Sequence, residues 1–285
     1  MKNNLNEDLD GFYNPVMEAV ESIKRYIQPE KVICFGYRVT GDDGERYGRS
    51  CGALIVCNIL VLTGKHEKRR LKESLSLLRR EFDSGVTVNW LLHQTESVKE
   101  LLRAGQPFFC NVVRKGILLY DNGLALPPTE ENTGAPMEDN GGDWSPSYEL
   151  GREFQEVARF ASGAGLYRLV SFNLHQALGQ FGIAVLKTFI YYKLNTHNII
   201  RMLDLLEMVS PEFKKIFPAD TGEEIALLTT LRRAYADVRY SSGYSVSRDT
   251  AEILFERVGQ FEGIMLRLKE SEVNACENII DVRAK

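Results

Sequence analysis

The stretch RLVSFNLHQALGQFGIAVLKTFIYYK at residues 168–193 constrains this chain more than any other. Its residues Val170, Leu174, Leu178, Phe181, Val185, Phe189 and Tyr192 recur at the three- and four-residue steps that place side chains on one helix face. Phe172, Ala177, Ile183, Ala184, Leu186 and Ile190 fill much of a second face. A helix apolar over so much of its circumference needs other helices around it. The segments that follow are therefore expected to be its packing partners. Arg168, Asn173, His175, Gln176 and Lys187 interrupt the run, which argues against a membrane span.

A chain of 285 residues is long enough for one large domain or two ordinary ones. The formal net charge of −4 argues against broad nonspecific binding to nucleic acid or anionic lipid, and leaves a local basic patch open. Cys34, Cys51, Cys57, Cys110 and Cys276 show no C-x-x-C spacing and read as reduced thiols of a cytosolic protein. The start MKNNLNEDLD has no apolar signal core. The expected location is the cytoplasm, away from membranes. Histidines and cysteines are scattered without ligand spacing, so no metal centre and no cofactor is expected. Phosphate-loop, dinucleotide and nucleophile-elbow fingerprints are missing.

Residues 10–121 read as an α/β domain. Asn14 as N-cap and Pro15 at the first helical position open a helix over 14–28, which Pro29 stops. Lys31 to Phe35 is a short buried strand ending at Gly36. Residues 53–64 form an apolar run without polar alternation, the mark of a central strand. A helix is expected over 65–83, with Lys65, Lys68, Arg69, Arg70 and Lys72 near its start. Val86–Leu92 is a third strand, Glu96–Ala104 and PFFCNVVRKG are helices, and Ile117–Tyr120 is a last strand. Residues 122–145 carry prolines, glycines and acids without a basic residue, and read as a solvated linker. Residues 146–270 have no convincing strand. Helices are expected at 146–164, 167–193, 197–209, 211–217, 222–240 and 248–270, with Thr196 capping the third and Thr221 and Glu224 forming a capping box for the fifth. A tail follows at 271–285. The fold class is α+β in two domains: a mixed sheet with helices, then an all-α bundle.

FNLHQAL at 172–178, KLNTHNI at 193–199, PEFKKIFP at 211–218 and above all AYADVRYSSGY at 234–244 stand out in the second half. With them it resembles a HEPN domain, the prokaryote and eukaryote nucleotide-binding helical bundle. The resemblance implies a helical bundle that dimerises, and in nuclease members an arginine followed after four to six residues by a histidine. The histidine moves the 2′-OH proton and the arginine steadies charge on phosphorus. Arg239 stands at the arginine position. After YSSG comes Tyr244, a phenol of pKa about 10 that is a poor base at neutral pH. The candidate catalytic residues are therefore Arg239, Tyr244, His175 and His197, and the candidate cleft is Asp237, Arg239, Tyr240 and Tyr244. The plainer readings stay open. Asp237 and Arg239 are equally able to pair with neighbouring helices, His175 to be a core histidine, and Tyr235, Tyr240 and Tyr244 to be core and rim aromatics.

With VICFG at 32–36 and the segment from His93 to Tyr120, the first half resembles a nucleotidyltransferase of the DNA-polymerase-β type. That family has a strand, a Gly-Ser turn for triphosphate, and a second strand whose carboxylates hold two Mg²⁺ ions. VICFG at 32–36 carries the resemblance, and HQTESVKELLRAGQPFFCNVVRKGILLY at 93–120 matches how such domains end when joined to HEPN. Gly36, Tyr37 and Arg38 are the implied nucleotide-binding residues. Tyr37 stands where serine is expected, and no acid lies between Glu45 and Glu67. Asp42, Asp43 and Glu45 precede the second strand in a loop, and Asn89 on the third strand is no carboxylate. A pseudoenzyme is expected, needing Mg²⁺ only if it transfers nucleotides. The leading reading is a non-catalytic regulatory protein that binds a nucleotide, RNA or partner and dimerises through the HEPN domain. Alternatives are a toxin-antitoxin-related RNA-cleaving toxin, a nucleotidyltransferase, and a homodimeric scaffold without a small ligand.

Overall fold

The computed structural model describes residues 13–40, 54–64, 86–129, 143–194 and 196–271. The described residues divide into two compact units, the first within 13–129 and the second within 143–271.

The first unit contains α1 (Tyr13–Ile27), β1 (Lys31–Thr40), β2 (Leu54–Thr63), β3 (Val86–Gln94), α2 (Thr95–Arg103), α3 (Pro107–Lys115) and β4 (Ile117–Asp121). The sheet order is β3-β2-β1-β4. β1 runs antiparallel to β2 and β4, and β2 runs parallel to β3, so the sheet is mixed as expected. Every residue of β2 from Val56 to Thr63 is buried, which accounts for its unbroken apolar run. Val20, Ile23 and Ile27 of α1 pack on Val32 and Cys34 of β1, Ile59 and Val61 of β2, and Ile117 of β4. That core gives α1 a helical apolar stripe facing alternate strand residues.

The expected end of β1 at Gly36 is corrected. The strand continues to Thr40 with a bulge between Cys34 and Gly36, where the partner moves from Ile59 to Asn58. Phe35 is the extra residue, and an extra residue lets a strand keep pairing past a position that reads as a stop. β3 likewise runs two residues beyond Leu92, to Gln94. The helix expected over 65–83 with its basic cluster, the acids Asp42, Asp43 and Glu45, most of the linker, and the tail after 271 lie outside the described residues.

The second unit contains α4 (Ser145–Gly163), α5 (Tyr167–Ile190), α6 (Ile199–Leu206), α7 (Glu212–Lys215), α8 (Gly222–Tyr240) and α9 (Arg248–Glu270), with no strand among the described residues. α5 is the central element and packs against α4, α6, α8 and α9. It is long and apolar enough to cross a membrane, and 61% of its most apolar window is buried inside the unit. Those neighbouring helices account for the apolar character. Two close approaches fix its position: Gly151 of α4 lies against the Phe181 ring, and Gly182 lies against Met202 of α6.

Helix ends follow local chemistry. α5 stops at Ile190, before the expected 193, because Tyr191 turns left-handed (φ 55°) and the Tyr192 N–H donates to the Leu186 carbonyl at 3.0 Å. Thr221 Oγ1 accepts from the Glu224 N–H at 3.2 Å, as expected. The Glu224 carboxylate takes the Arg257 guanidinium of α9 at 2.6 Å. The cap of α6 is corrected from Thr196 to Asn198, whose Oδ1 accepts from both Ile200 and Arg201 N–H groups. Thr196 Oγ1 accepts instead from the Asn198 N–H.

Candidate functional site

The last turns of α8 carry Tyr235, Asp237, Arg239 and Tyr240. Arg239 folds back on its own helix: Nε and Nη2 donate to the Tyr235 carbonyl at 3.0 and 2.7 Å. A cation is favoured there because the C-terminal end of a helix carries partial negative charge. The guanidinium then lies 4.6 Å from the Tyr235 ring centre, 5.1 Å from that of Tyr240 and 5.9 Å from that of Phe172 on α5.

Two histidines distant in sequence meet the same tyrosine. His197, from the segment before α6, stacks on Tyr235 with centroids 4.2 Å apart and planes 15° apart. His175, from α5, approaches at 5.4 Å and 31°. Arg239, His175 and His197 therefore converge, and Tyr235, read from sequence as a core or rim aromatic, is what they share. The one signal for it was its place one turn before Arg239.

The cluster has an open side and a closed side. Arg239 and His197 are exposed, and Tyr240 is 79% exposed. His175 is 2% exposed, and neither ring nitrogen has a hydrogen-bond partner among the described residues. Burial pushes its pKa down to about 4, against a smaller opposing pull from the His197 backbone. It is thus neutral at pH 7 and closed off from a ligand at the surface.

The other two cleft candidates serve the scaffold. Asp237 pairs with Arg233 one turn earlier at 2.5 Å, and among the described residues Arg239 has no carboxylate partner. Tyr244 is buried, donates to the Thr230 carbonyl at 2.8 Å, and lies 3.1 Å from Ser171 Oγ of α5. Burial raises its pKa, so the phenol stays protonated. It ties the segment after α8 to α5 and does not share the exposed surface of Arg239 and Tyr240.

Residues 147–268 match the HEPN domain model. The C-terminal half carries a HEPN domain. A solved structure, a nucleotidyltransferase-like protein from Exiguobacterium sibiricum 255-15, is similar at 11% identity, with 93% of this chain and 78% of that chain covered and a TM-score of 0.29. No curated protein matches the chain. The tyrosine–histidine–arginine cluster lies wholly within the HEPN span. The Tyr244 hydroxyl is already engaged inside that span.

In the first unit, Gly36, Tyr37 and Arg38 lie within β1 opposite Asn58, Cys57 and Val56, and not in a turn. The Arg38 side chain lies outside what is described. Beside Gly36, Asn58 Oδ1 accepts from Asn89 Nδ2 of β3 at 3.2 Å, and both amides are buried. Magnesium requires anionic oxygen to compensate for lost hydration, and neutral amides bonded to each other do not fit it. Among the described residues no group of three or more His, Cys, Asp or Glu is arranged to hold a metal ion.

Proposed function

We propose that this protein is a non-catalytic regulatory protein that binds a nucleotide or RNA on the HEPN surface formed by Arg239, Tyr240 and His197. The carrying observation is the exposed Arg239 guanidinium, held by the Tyr235 carbonyl and flanked by the Tyr240 ring and the His197–Tyr235 stack. An oriented guanidinium suits phosphate oxygens. Aromatic faces beside it suit unstacked bases. The buried neutral His175 and the engaged Tyr244 support binding without turnover, since neither presents a base to a ligand. Homodimerisation through the HEPN domain belongs to the same reading. The exposed Val157, Phe160, Leu166 and Leu169 support it, and light scattering tests it.

Fluorescence anisotropy with a labelled single-stranded RNA, and competition by ATP, tests the binding. Arg239→Ala is expected to weaken affinity at least about tenfold, the loss of one charge-assisted contact of roughly 1.5 kcal/mol. Equal affinity for the two proteins sinks the proposal. A thermal shift absent across a nucleotide and RNA panel favours the scaffold alternative.

A second reading is RNA cleavage by Arg239 with His197. It is favoured by one observation: the exposed imidazole rests on the ring that also underlies the guanidinium. Cleavage of structured RNA that disappears in both Arg239→Ala and His197→Ala supports it. Cleavage indifferent to the two substitutions removes it.

A further inference from the structure

Cys34 and Cys57 sit on neighbouring antiparallel strands under α1. Cys34 pairs with Ile59 and Tyr37 pairs with Cys57, with the bulge between them. Ile59 and Cys57 are two residues apart on β2, so the two cysteines are diagonal neighbours on one face of the sheet. Cys34 packs with Val20 and Ile23 of α1, and Cys57 packs with Val16 of the same helix. Both thiols are buried and free, and Cys34 Sγ donates to the Gly36 carbonyl at 3.5 Å. Two thiols sharing one sheet face inside an apolar core are placed differently from Cys110, which lies on a helix and whose Sγ approaches the Leu102 carbonyl.

We propose that Cys34 and Cys57 are a redox modification site that closes to a disulfide when the protein meets a hydroperoxide. Cys34 is the attacking sulfur. The neighbouring Cys57 thiol lowers the pKa of Cys34 against the raising effect of burial, and the nearness of Cys34 together with burial raises that of Cys57. The Cys34 thiolate attacks one peroxide oxygen, the O–O bond breaks, and the leaving hydroxide takes up a proton to become water. Cys34 is then a sulfenic acid. The Cys57 sulfur attacks the Cys34 sulfur, the S–O bond breaks as the S–S bond forms, and the departing hydroxide leaves as water with the Cys57 proton. Two thiols and one peroxide become one disulfide and two waters. Each sulfur gives up one electron and each peroxide oxygen gains one.

The bulge supplies the geometry. A disulfide needs Cβ atoms about 3.5–4.5 Å apart, closer than a regular diagonal pair. Phe35, the extra residue of β1, bends the strand and increases its local twist between the two cysteines, which takes the pair off regular diagonal spacing. Oxidant reaches the pair when α1 opens locally, so the reaction is slower than at an exposed thiol. The product ties β1 to β2 beside Gly36 and Tyr37.

The full-length protein is treated with hydrogen peroxide under native conditions, unfolded, alkylated and mapped without reduction. The expected result is the loss of two hydrogen atoms from the intact mass and one cross-linked peptide joining Cys34 to Cys57, reversed by dithiothreitol. Cys110→Ser retains the link, and Cys34→Ser abolishes it. Alkylation of both residues after peroxide treatment overturns the proposal. So does Cys34 oxidised beyond sulfenic acid without a link, or a map in which either cysteine is joined to Cys51, Cys110 or Cys276.

Discussion

His197 lies nearly flat on Tyr235, ring centroids 4.2 Å apart and planes 15° from parallel, although the two come from different segments of the HEPN domain. The same tyrosine supplies the carbonyl that orients Arg239. Tyr235→Phe leaves both the ring and the carbonyl, and RNA affinity is expected to stay within about twofold of the parent. Tyr235→Ala removes the ring beneath His197 and Arg239 and is expected to weaken binding about tenfold, the order of one aromatic stacking contact. Anisotropy titration of the two variants separates these outcomes.

His175 makes stability depend on pH. Its folded pKa of about 4 lies below the ordinary imidazole value of about 6.5. Between those values the unfolded chain binds a proton that the folded chain refuses. Stability from this group is therefore fully present above about pH 6.5 and is lost as pH falls toward 4, by roughly 3 kcal/mol in all. His175→Leu removes the titration. Urea midpoints measured from pH 7 down to pH 4 are expected to fall less steeply for the variant than for the parent; parallel slopes would contradict the assignment.

Gly151 and Gly182 both lack room for a methyl group, yet their neighbours differ. A Cβ on Gly151 would stand 2.5 Å from the fully buried Phe181 ring. A rigid aromatic in a close-packed core yields only by leaving its rotamer, so Gly151→Ala is expected to cost about 1–3 kcal/mol. At Gly182 the obstacle is the Met202 side chain, which has three rotatable bonds and adapts. Alanine there also recovers roughly 1 kcal/mol of helix propensity. Chemical denaturation is expected to rank Gly151→Ala well below Gly182→Ala.

Tyr244→Phe tests whether this residue is a structural tie. The phenylalanine ring fits, but the Thr230 carbonyl and Ser171 hydroxyl lose their shared partner. A loss of about 1–2 kcal/mol in stability is expected, with RNA affinity nearly unchanged. A large drop in affinity at unaltered stability would instead assign the phenol to the ligand surface.

Much of this was legible in the residues themselves. Central burial of α5 follows from its apolar spacing, and β2 reads as a central strand because no polar residue alternates through it. The Thr221 cap and the boundaries of α8 and α9 follow from signals spanning a turn or less. Where local signals competed, proximity in sequence was not enough. Asn198 displaced Thr196 because its amide oxygen reaches two N–H groups at once. The bulge at Phe35 carried β1 past a glycine that reads as its end.

The sequence by itself determined the helices and strands that the described residues form, because backbone periodicity and capping depend on neighbours a few residues away. It also named Arg239, His175 and His197 as candidates. Only the tertiary structure decided that they meet on Tyr235, that one histidine is exposed and the other sealed, and that Tyr244 is tied to Ser171 and Thr230 inside the domain. The reason is geometric: the crossing of α5 with α8 sets which side chains touch and which keep their water, and that crossing is fixed by the whole packed core.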